Sequence, residues 1–128
     1  MPADFFIKTN YNELDHNYPA PAEPVPDTVK ILHKVFKLKV REPVFGDDKL
    51  GEFDRVKSEI NYVPLLGSET VDTIIHELLH GVFSAFYLSN QMEQEEEEQI
   101  VSLLATGLTT IMKDNPTLFK SLQDMLEY

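Results

Sequence analysis

Apolar and polar positions alternate with a period of two in the part of the chain that follows Pro26. The segment VFKLKVRE, residues 35–42, intersperses one aromatic and three aliphatic side chains with lysines and an arginine. This pattern predicts a half-buried β-strand, and VKIL at 29–32 is either its partner strand or a short helical turn. FGDDKLGEF, residues 45–53, has the composition of a turn. The alternation in RVKSEINYVPLL, residues 55–66, predicts a further strand.

The second part of the chain has apolar residues at helical spacing. Ser68 can serve as an N-cap, and TVDTIIHELLHGVFSAFYL at 70–88 is apolar on nearly every side, which predicts a buried helix. Ser89–Asn90 offers a stop and a new N-cap. The segment QMEQEEEEQIVSLLATGLTTIMKD at 91–114 then predicts a second helix, whose acidic start suits the positive end of the helix dipole.

A helix-start signal near the C-terminus and a proline-rich segment near the N-terminus complete the predicted organisation. Asn115 and Pro116 have the residue types of an N-cap and a first helical position, so a last helix is predicted after them. Near the N-terminus, YPAPAEPVPD at 18–27 holds four prolines, which disfavour helix and ladder pairing. We therefore expect a Pro-rich leader over residues 1–27 and one domain over residues 28–128. The fold class is α+β, with a small antiparallel sheet of two to three strands packed on the apolar helix and two further C-terminal helices.

Composition narrows the possible partners. The chain has 128 residues, a net charge of -11 and no cysteine. Such an acidic surface disfavours nucleic-acid phosphates and anionic membranes, and without cysteine there is neither a disulfide nor a thiolate metal site. No apolar run is long enough to span a bilayer, and the N-terminus lacks the pattern of a signal peptide. We expect a cytoplasmic protein with a protein or peptide partner; the oligomeric state is not indicated.

The apolar helix contains the one constellation that carries chemistry, HELLH at residues 76–80. Positions four apart lie on one face of a helix, so His76 and His80 project together and can grip one metal ion. Glu77 lies where its carboxylate can reach a metal-bound water. Histidines scattered by chance are more often surface or satisfied core residues. Three ionisable groups on so apolar a helix are costly to bury, however, unless they are paired or bind a metal. The motif therefore predicts a zinc site.

Two histidines leave a catalytic zinc site short of its usual three protein ligands. His16 and His33 lie upstream, and the acidic run EQEEEE at 93–98 lies at the start of the next helix, where most of its members suit a solvated face. The positions three, four, seven, eleven and fourteen after Glu97 are all apolar, so a buried stripe is predicted to begin there. The same count from Glu98 gives a more mixed face. Periodicity favours Glu97 as third ligand, with Glu98 as the alternate.

The chain resembles the small phage and prophage HExxH metallopeptidases related to the ImmA/IrrE group. The resemblance covers roughly residues 29–118 and rests on TVDTIIHELLHGVF, EEQIVSLLATGL, KDNPTL and GEFDRVKSEINYVP. It implies a minimal gluzincin fold, zinc ligation by His76, His80 and one of Glu97 or Glu98, and Glu77 as catalytic base. Larger gluzincins often have an acid or amide four residues after the ligand glutamate; here those positions are Val101 or Ser102, which leaves the outer partners of the metal ligands unassigned.

Two functions follow as hypotheses. The first is a zinc-dependent peptidase that cuts a specific protein, in which Glu77 activates a zinc-bound water and a strand near 58–63 holds an extended substrate by edge pairing. Tyr62 and Tyr87 are candidates for stabilising the oxyanion. The second is a non-catalytic, zinc-stabilised acidic module that binds a protein. A structural zinc site normally has four protein ligands, and only three are evident here, which favours catalysis.

Overall fold

The computed structural model describes residues 25–43 and 45–128, so most of the predicted leader lies outside the described residues. Four strands come first: β1 (Thr28–Ile31), β2 (Lys34–Val40), β3 (Gly51–Asp54) and β4 (Glu59–Tyr62). Three helices follow, α1 (Gly67–Ala85), α2 (Gln94–Asp114) and α3 (Pro116–Met125), with a short 3-10 helix (Leu88–Gln91) between α1 and α2. The predicted α+β class is confirmed.

The sheet is mixed rather than antiparallel, and it has four strands in the order β1-β2-β4-β3. The β1–β2 and β3–β4 pairs are antiparallel, whereas β2 and β4 run parallel. The strand that the sequence did not predict is β3, because three of its four residues lie in the segment of turn composition at 45–53. Strands β3 and β4 form a hairpin. Its second strand, β4, lies beside β2 and runs in the same direction as β2. Among the described strands, β1 and β3 therefore form the two edges of the sheet.

Strand β1 settles the choice left open for VKIL, which is a strand and not a helical turn. Ile31 pairs with Lys34, so the hairpin to β2 has a loop of two residues. Leu32 at the first loop position has φ 56, in the left-handed region. Hairpin loops of two residues need such a positive φ because it matches the twist of the flanking strands.

The hydrophobic core lies between the sheet and α1. The alternation predicted for β2 and β4 is confirmed on this face by Phe36, Leu38, Ile60 and Tyr62, all of which are buried. Ile74, Leu78 and Val82 of α1 pack against them. Gly81 allows this close approach, since a Cβ there would lie 2.5 Å from the Ile31 Cδ1 atom. The residue that follows HELLH thus fixes the height of the motif above the sheet.

Helix α1 is less enclosed than its composition predicts. Its buried residues are Thr73, Glu77, Gly81 and Phe83, and Val71 is exposed, so the expectation of burial all round is wrong. Ser68 is not the N-cap either, because the helix begins at Gly67 after Leu66. Instead, the Thr70 hydroxyl accepts a hydrogen bond from the Leu65 N–H at 2.8 Å, which ties the incoming loop to the first turn.

Helix α2 begins at Gln94 with a capping box formed by Glu93 and Glu96, and not at the predicted Ser89–Asn90 cap. Its last turn leads through Asn115, the N-cap, into Pro116 of α3, as the sequence predicted. No helix among the described residues combines the length and apolar character needed to cross a membrane.

The buried stripe of α2 differs from the predicted one. Val101, Ala105 and Thr109 are buried, whereas Ile100 and Leu104 are 40% and 45% exposed. Of the apolar residues counted from Glu97, Val101 is buried as predicted, but the prediction is wrong for Ile100 and Leu104. Helix α2 packs on α1, and the residues that it buries include the small side chains of Ala105 and Thr109.

Candidate metal centre

Helix α1 brings His76 and His80 together, as their spacing of four residues predicts. The two Nε2 atoms are 3.2 Å apart, and the ring centroids are 4.9 Å apart at an interplanar angle of 65°. Both side chains are mostly buried, with 20% and 17% of their surface exposed. The rings therefore present their Nε2 atoms to one shared point at the surface of the helix.

Glu98 completes a group of three donors from the start of α2. Its Oε2 atom lies 3.0 Å from the His76 Nε2 atom, and its Oε1 atom lies 2.9 Å from the His80 Nε2 atom. These three residues form a group that could hold a metal ion. Zinc bonds of about 2.0–2.2 Å at tetrahedral angles place donor atoms roughly 3.3 Å apart, so only small shifts would let the three donors share one ion.

Glu97 contacts the other side of the His80 ring. Its Oε2 atom is 2.6 Å from the His80 Nδ1 atom, and the Glu97 side chain is only 13% exposed. The Nδ1–H group must donate this hydrogen bond, because a carboxylate can only accept. In a neutral imidazole the Nε2 atom then carries a lone pair. That lone pair faces a Glu98 oxygen at 2.9 Å.

Two acceptors at this distance need either a proton between them or a metal ion at the shared point. The second arrangement is the common one for metal-binding histidines, whose other ring nitrogen usually donates to a carboxylate that fixes the tautomer. The donor set therefore fits a divalent cation, with His76, His80 and Glu98 as ligands and Glu97 as the partner that orients His80.

This arrangement exchanges the roles that periodicity favoured for the two glutamates. Glu97, preferred by the sequence as the third ligand, is the more buried but faces Nδ1; Glu98, the alternate, reaches both Nε2 atoms. The count of apolar positions selected the glutamate nearer the core. Burial does not distinguish the two roles, because a residue that orients a ligand can be as buried as the ligand itself. A histidine with two ring nitrogens needs two partners, and the adjacent pair of acids supplies both.

In the metal-free protein, the two histidines favour the ionised form of Glu98. Desolvation opposes its ionisation, but the charges of His76 and His80 and their hydrogen bonds outweigh it and lower the pKa of the Glu98 carboxyl. Ser102 adds a weak hydrogen bond to its Oε2 atom at 3.4 Å. Glu98 is therefore held in the ionised form that a metal ligand requires.

Glu77 lies beside this group, buried but open to the surface on one side. Only 7% of the residue is exposed, and among the described residues no hydrogen bond reaches its carboxylate. Burial raises its pKa to about 7, against the opposing charge of His80 and with the charge of Glu98 adding to the increase. A buried carboxylate without a partner is costly, which indicates a group kept for chemistry rather than for stability.

Gly51 at the start of β3 gives the Glu77 carboxylate its space. A Cβ at Gly51 would lie 2.8 Å from the Thr73 Cγ2 atom and 3.1 Å from the Glu77 Oε2 atom. The backbone of the edge strand therefore runs directly against the catalytic candidate. No feature of the sequence pattern pointed to Gly51, because it lies in the segment of turn composition.

An open groove connects these elements, with α1 as its floor, β3 as one wall and the first turns of α2 as the other. The strand at 58–63 does not provide a free edge for a peptide, because β4 is paired on both sides; β3 is the edge that borders the groove. Tyr87 lines the groove, whereas Tyr62 belongs to the core. His33 lies in the exposed β1–β2 turn, and His16 lies outside the described residues.

No family model, curated protein or solved structure matches this chain. The resemblance to the ImmA/IrrE-related metallopeptidases accordingly stays a prediction from the sequence.

Proposed function

We propose that this protein is a zinc-dependent peptidase that hydrolyses a peptide bond in a protein target. The observation that carries the proposal is the buried Glu77 carboxylate, which accepts no hydrogen bond from the described residues and lies beside three convergent metal donors in an open groove. Three protein donors leave a coordination position for water or substrate, which is characteristic of catalytic zinc sites. When bound, zinc supplies Lewis-acid chemistry, since it acidifies water and polarises a carbonyl group.

The residues of this chain divide the remaining tasks. Strand β3 offers the unpaired N–H and C=O groups of a sheet edge, on which an extended peptide can pair beside Glu77. Glu97 holds the His80 ring through its Nδ1–H group. These contacts fix the positions of the scissile carbonyl and of the metal ligand before the reaction begins.

Glu77 moves the proton. In the metal-free protein, burial raises the pKa of its carboxyl to about 7, a range that suits a general base near neutral pH. The water oxygen bonds to the carbonyl carbon, and the carbon–nitrogen bond then breaks. The proton held by Glu77 passes to the leaving amine, so the carboxylate is restored at the end of the cycle.

The test compares Glu77→Gln with Glu127→Gln, the same chemical change at an exposed position outside the groove. Each variant is loaded with zinc and incubated with a mixed peptide library, and new termini are counted by mass spectrometry. We expect both to bind zinc as the wild type does. Cleavage should persist in Glu127→Gln and fall by about 10²–10⁴-fold in Glu77→Gln, the usual cost of losing a general base.

Two results would contradict the proposal. One is cleavage that Glu77→Gln retains in full or that a chelator does not affect. The other is the absence of any cleavage by the zinc-loaded wild type, both on the library and on co-expressed protein targets. In that second case the zinc-stabilised protein-binding module is the function that remains.

A further inference from the structure

The acidic charge of the protein is concentrated in one place. The described residues contain 18 aspartates and glutamates and 10 lysines and arginines. The groove over the metal centre is lined by nine of those carboxylates and by only two of the cations, Lys49 and Arg55. The rest of the described chain therefore has nine carboxylates and eight cations, which nearly balance. Almost the whole net charge of the described residues lies around the candidate site.

A metal ion does not neutralise this groove. Nine carboxylates against two cations leave a formal charge of -7, and a divalent ion reduces it only to -5. Three of the nine carboxylates belong to the candidate ligand Glu98 and its neighbours Glu77 and Glu97. The other six lie along the walls: Glu52, Glu69, Asp72, Glu93, Glu95 and Glu96.

Part of this wall has a structural role. Glu93 and Glu96 form the capping box of α2, Asp72 accepts a hydrogen bond from the Thr106 hydroxyl, and Glu52 lies 3.7 Å from the Lys49 ammonium. Acidic residues in the first turn of a helix also suit its dipole. These roles explain why acids are tolerated at helix starts. They do not explain why the groove has so few cations to balance them.

Glu69 and Glu95 also suit a helix dipole, but they are the wall acids whose side chains make none of these hydrogen bonds or ion pairs. Both are exposed, and among the described residues neither has an ion-pair partner. Glu69 belongs to the first turn of α1 and Glu95 to the first turn of α2, so they come from different elements that line one groove. Glu77, which is buried and accepts no hydrogen bond from the described residues, lines the same space, which independently indicates that a ligand enters there.

We infer that the groove selects a basic peptide segment, whose lysine or arginine side chains pair with the acidic wall while its backbone lies along β3. This inference rests on the proposed peptidase function for the reaction, but the charge preference is a property of binding. A groove of one sign with low-dielectric walls concentrates ligands of the opposite sign and accelerates their association by about 10–10³-fold. An acidic segment would be repelled by the same field.

The test uses two fluorescent peptides of equal length that differ only in having lysines or glutamates at the positions flanking a common centre. Anisotropy gives their affinity for full-length Glu77→Gln with one equivalent of zinc, so that neither probe is cut. We expect the lysine probe to bind and the glutamate probe not to bind. Affinity for the lysine probe should fall steeply between about 0.1 and 1 M salt, over which the Debye length shrinks from about 10 to 3 Å.

Two double variants, each made in the Glu77→Gln background, locate the effect. Glu69→Gln/Glu95→Gln removes two charges from the groove, and Asp114→Asn/Glu127→Gln removes two charges outside it. The groove pair should weaken binding of the lysine probe by about 3- to 10-fold, and the control pair by less than about 2-fold. Equal affinity for the two probes, or equal losses in the two double variants, would overturn the inference.

Its failure is distinguishable from failure of the peptidase proposal. Cleavage of library peptides by the wild type without enrichment of lysine or arginine around the cut would leave a peptidase and refute the charge preference. Tight, groove-dependent binding of the lysine probe without any cleavage by the wild type would support the charge preference and refute the peptidase.

Discussion

Replacing Glu77 by glutamine should stabilise the metal-free protein at alkaline pH. The reason is that the folded chain holds this carboxyl at a pKa of about 7, against an ordinary value of 4.5, chiefly because burial disfavours the charged form. The folded state then binds a proton more tightly than the unfolded state does. Ionisation of Glu77 therefore costs stability, and this cost grows as the pH rises from the ordinary pKa to the raised one.

The size of the effect follows from the two pKa values. Each unit of difference corresponds to about 1.4 kcal/mol once the pH is above both, so the cost in the wild type is about 3 kcal/mol at pH 8. It is about 2 kcal/mol at pH 6 and less than about 1 kcal/mol at pH 5. Glutamine has nearly the shape of glutamate and no charge, so Glu77→Gln removes this dependence.

The assay is urea unfolding of wild type and Glu77→Gln in the presence of a chelator, at pH 5 and at pH 8. The stability difference between the two proteins should change by roughly 2–3 kcal/mol in favour of the variant as the pH rises. Comparing the stability difference between the two proteins at pH 8 with that at pH 5 cancels any pH-independent effect of the amide. It also cancels the titration of groups remote from Glu77, which is the same in both proteins. Glu127→Gln is the matched control and should show no such change. A difference that does not vary with pH, or a variant that loses stability at pH 8, would refute the account of Glu77.

Three further perturbations test the neighbouring parts of the site. Glu97→Ala should lower zinc affinity by about 10- to 100-fold, because it removes the partner that orients His80. Glu98→Ala should lower zinc affinity by more, because it removes a ligand. A zinc titration measures both affinities, and the opposite order would exchange the two roles. Gly51→Ala should destabilise the protein by about 1–3 kcal/mol, because its Cβ would meet Thr73 and Glu77. The control Gly107→Ala lies at an open helical position and should stabilise the protein by about 1 kcal/mol. An unchanged melting temperature of Gly51→Ala would mean that β3 can move away. Deleting residues 1–24 should leave zinc binding and most of the melting temperature intact, and failure of the truncated chain to fold would make the leader part of the domain.

The sequence predicted the elements whose residues repeat with a clear period. Phe36, Leu38, Ile60 and Tyr62 alternate in both pattern and structure, and HELLH lies on a helix with its two histidines converging. The sequence did not predict β3, because four residues beginning with a glycine give no periodic signal. Its position depends on pairing with β4 and on the close packing at Gly51, where a Cβ would meet Thr73 and Glu77, and both are tertiary features.

The sequence favoured Glu97 over Glu98 as third ligand for a related reason. The apolar residues counted from Glu97 were assumed to be buried, but α2 contacts the rest of the described chain mainly through the face of Val101, Ala105 and Thr109. Which face of a helix is covered depends on its neighbour, and small residues can mark that face as well as large ones. The adjacency of Glu97 and Glu98 then allowed both acids to reach the same histidine from two sides.

The proposed metal centre is tested by the zinc content of the protein, measured by elemental analysis after loading and removal of free metal. The wild type should retain about one zinc ion per chain, through neutral His76 and His80 and ionised Glu98. His76→Ala and His80→Ala should retain little or none while the fold persists by circular dichroism. A wild type that holds no zinc, or histidine variants that hold as much as the wild type, would contradict the metal centre on which the proposed function depends.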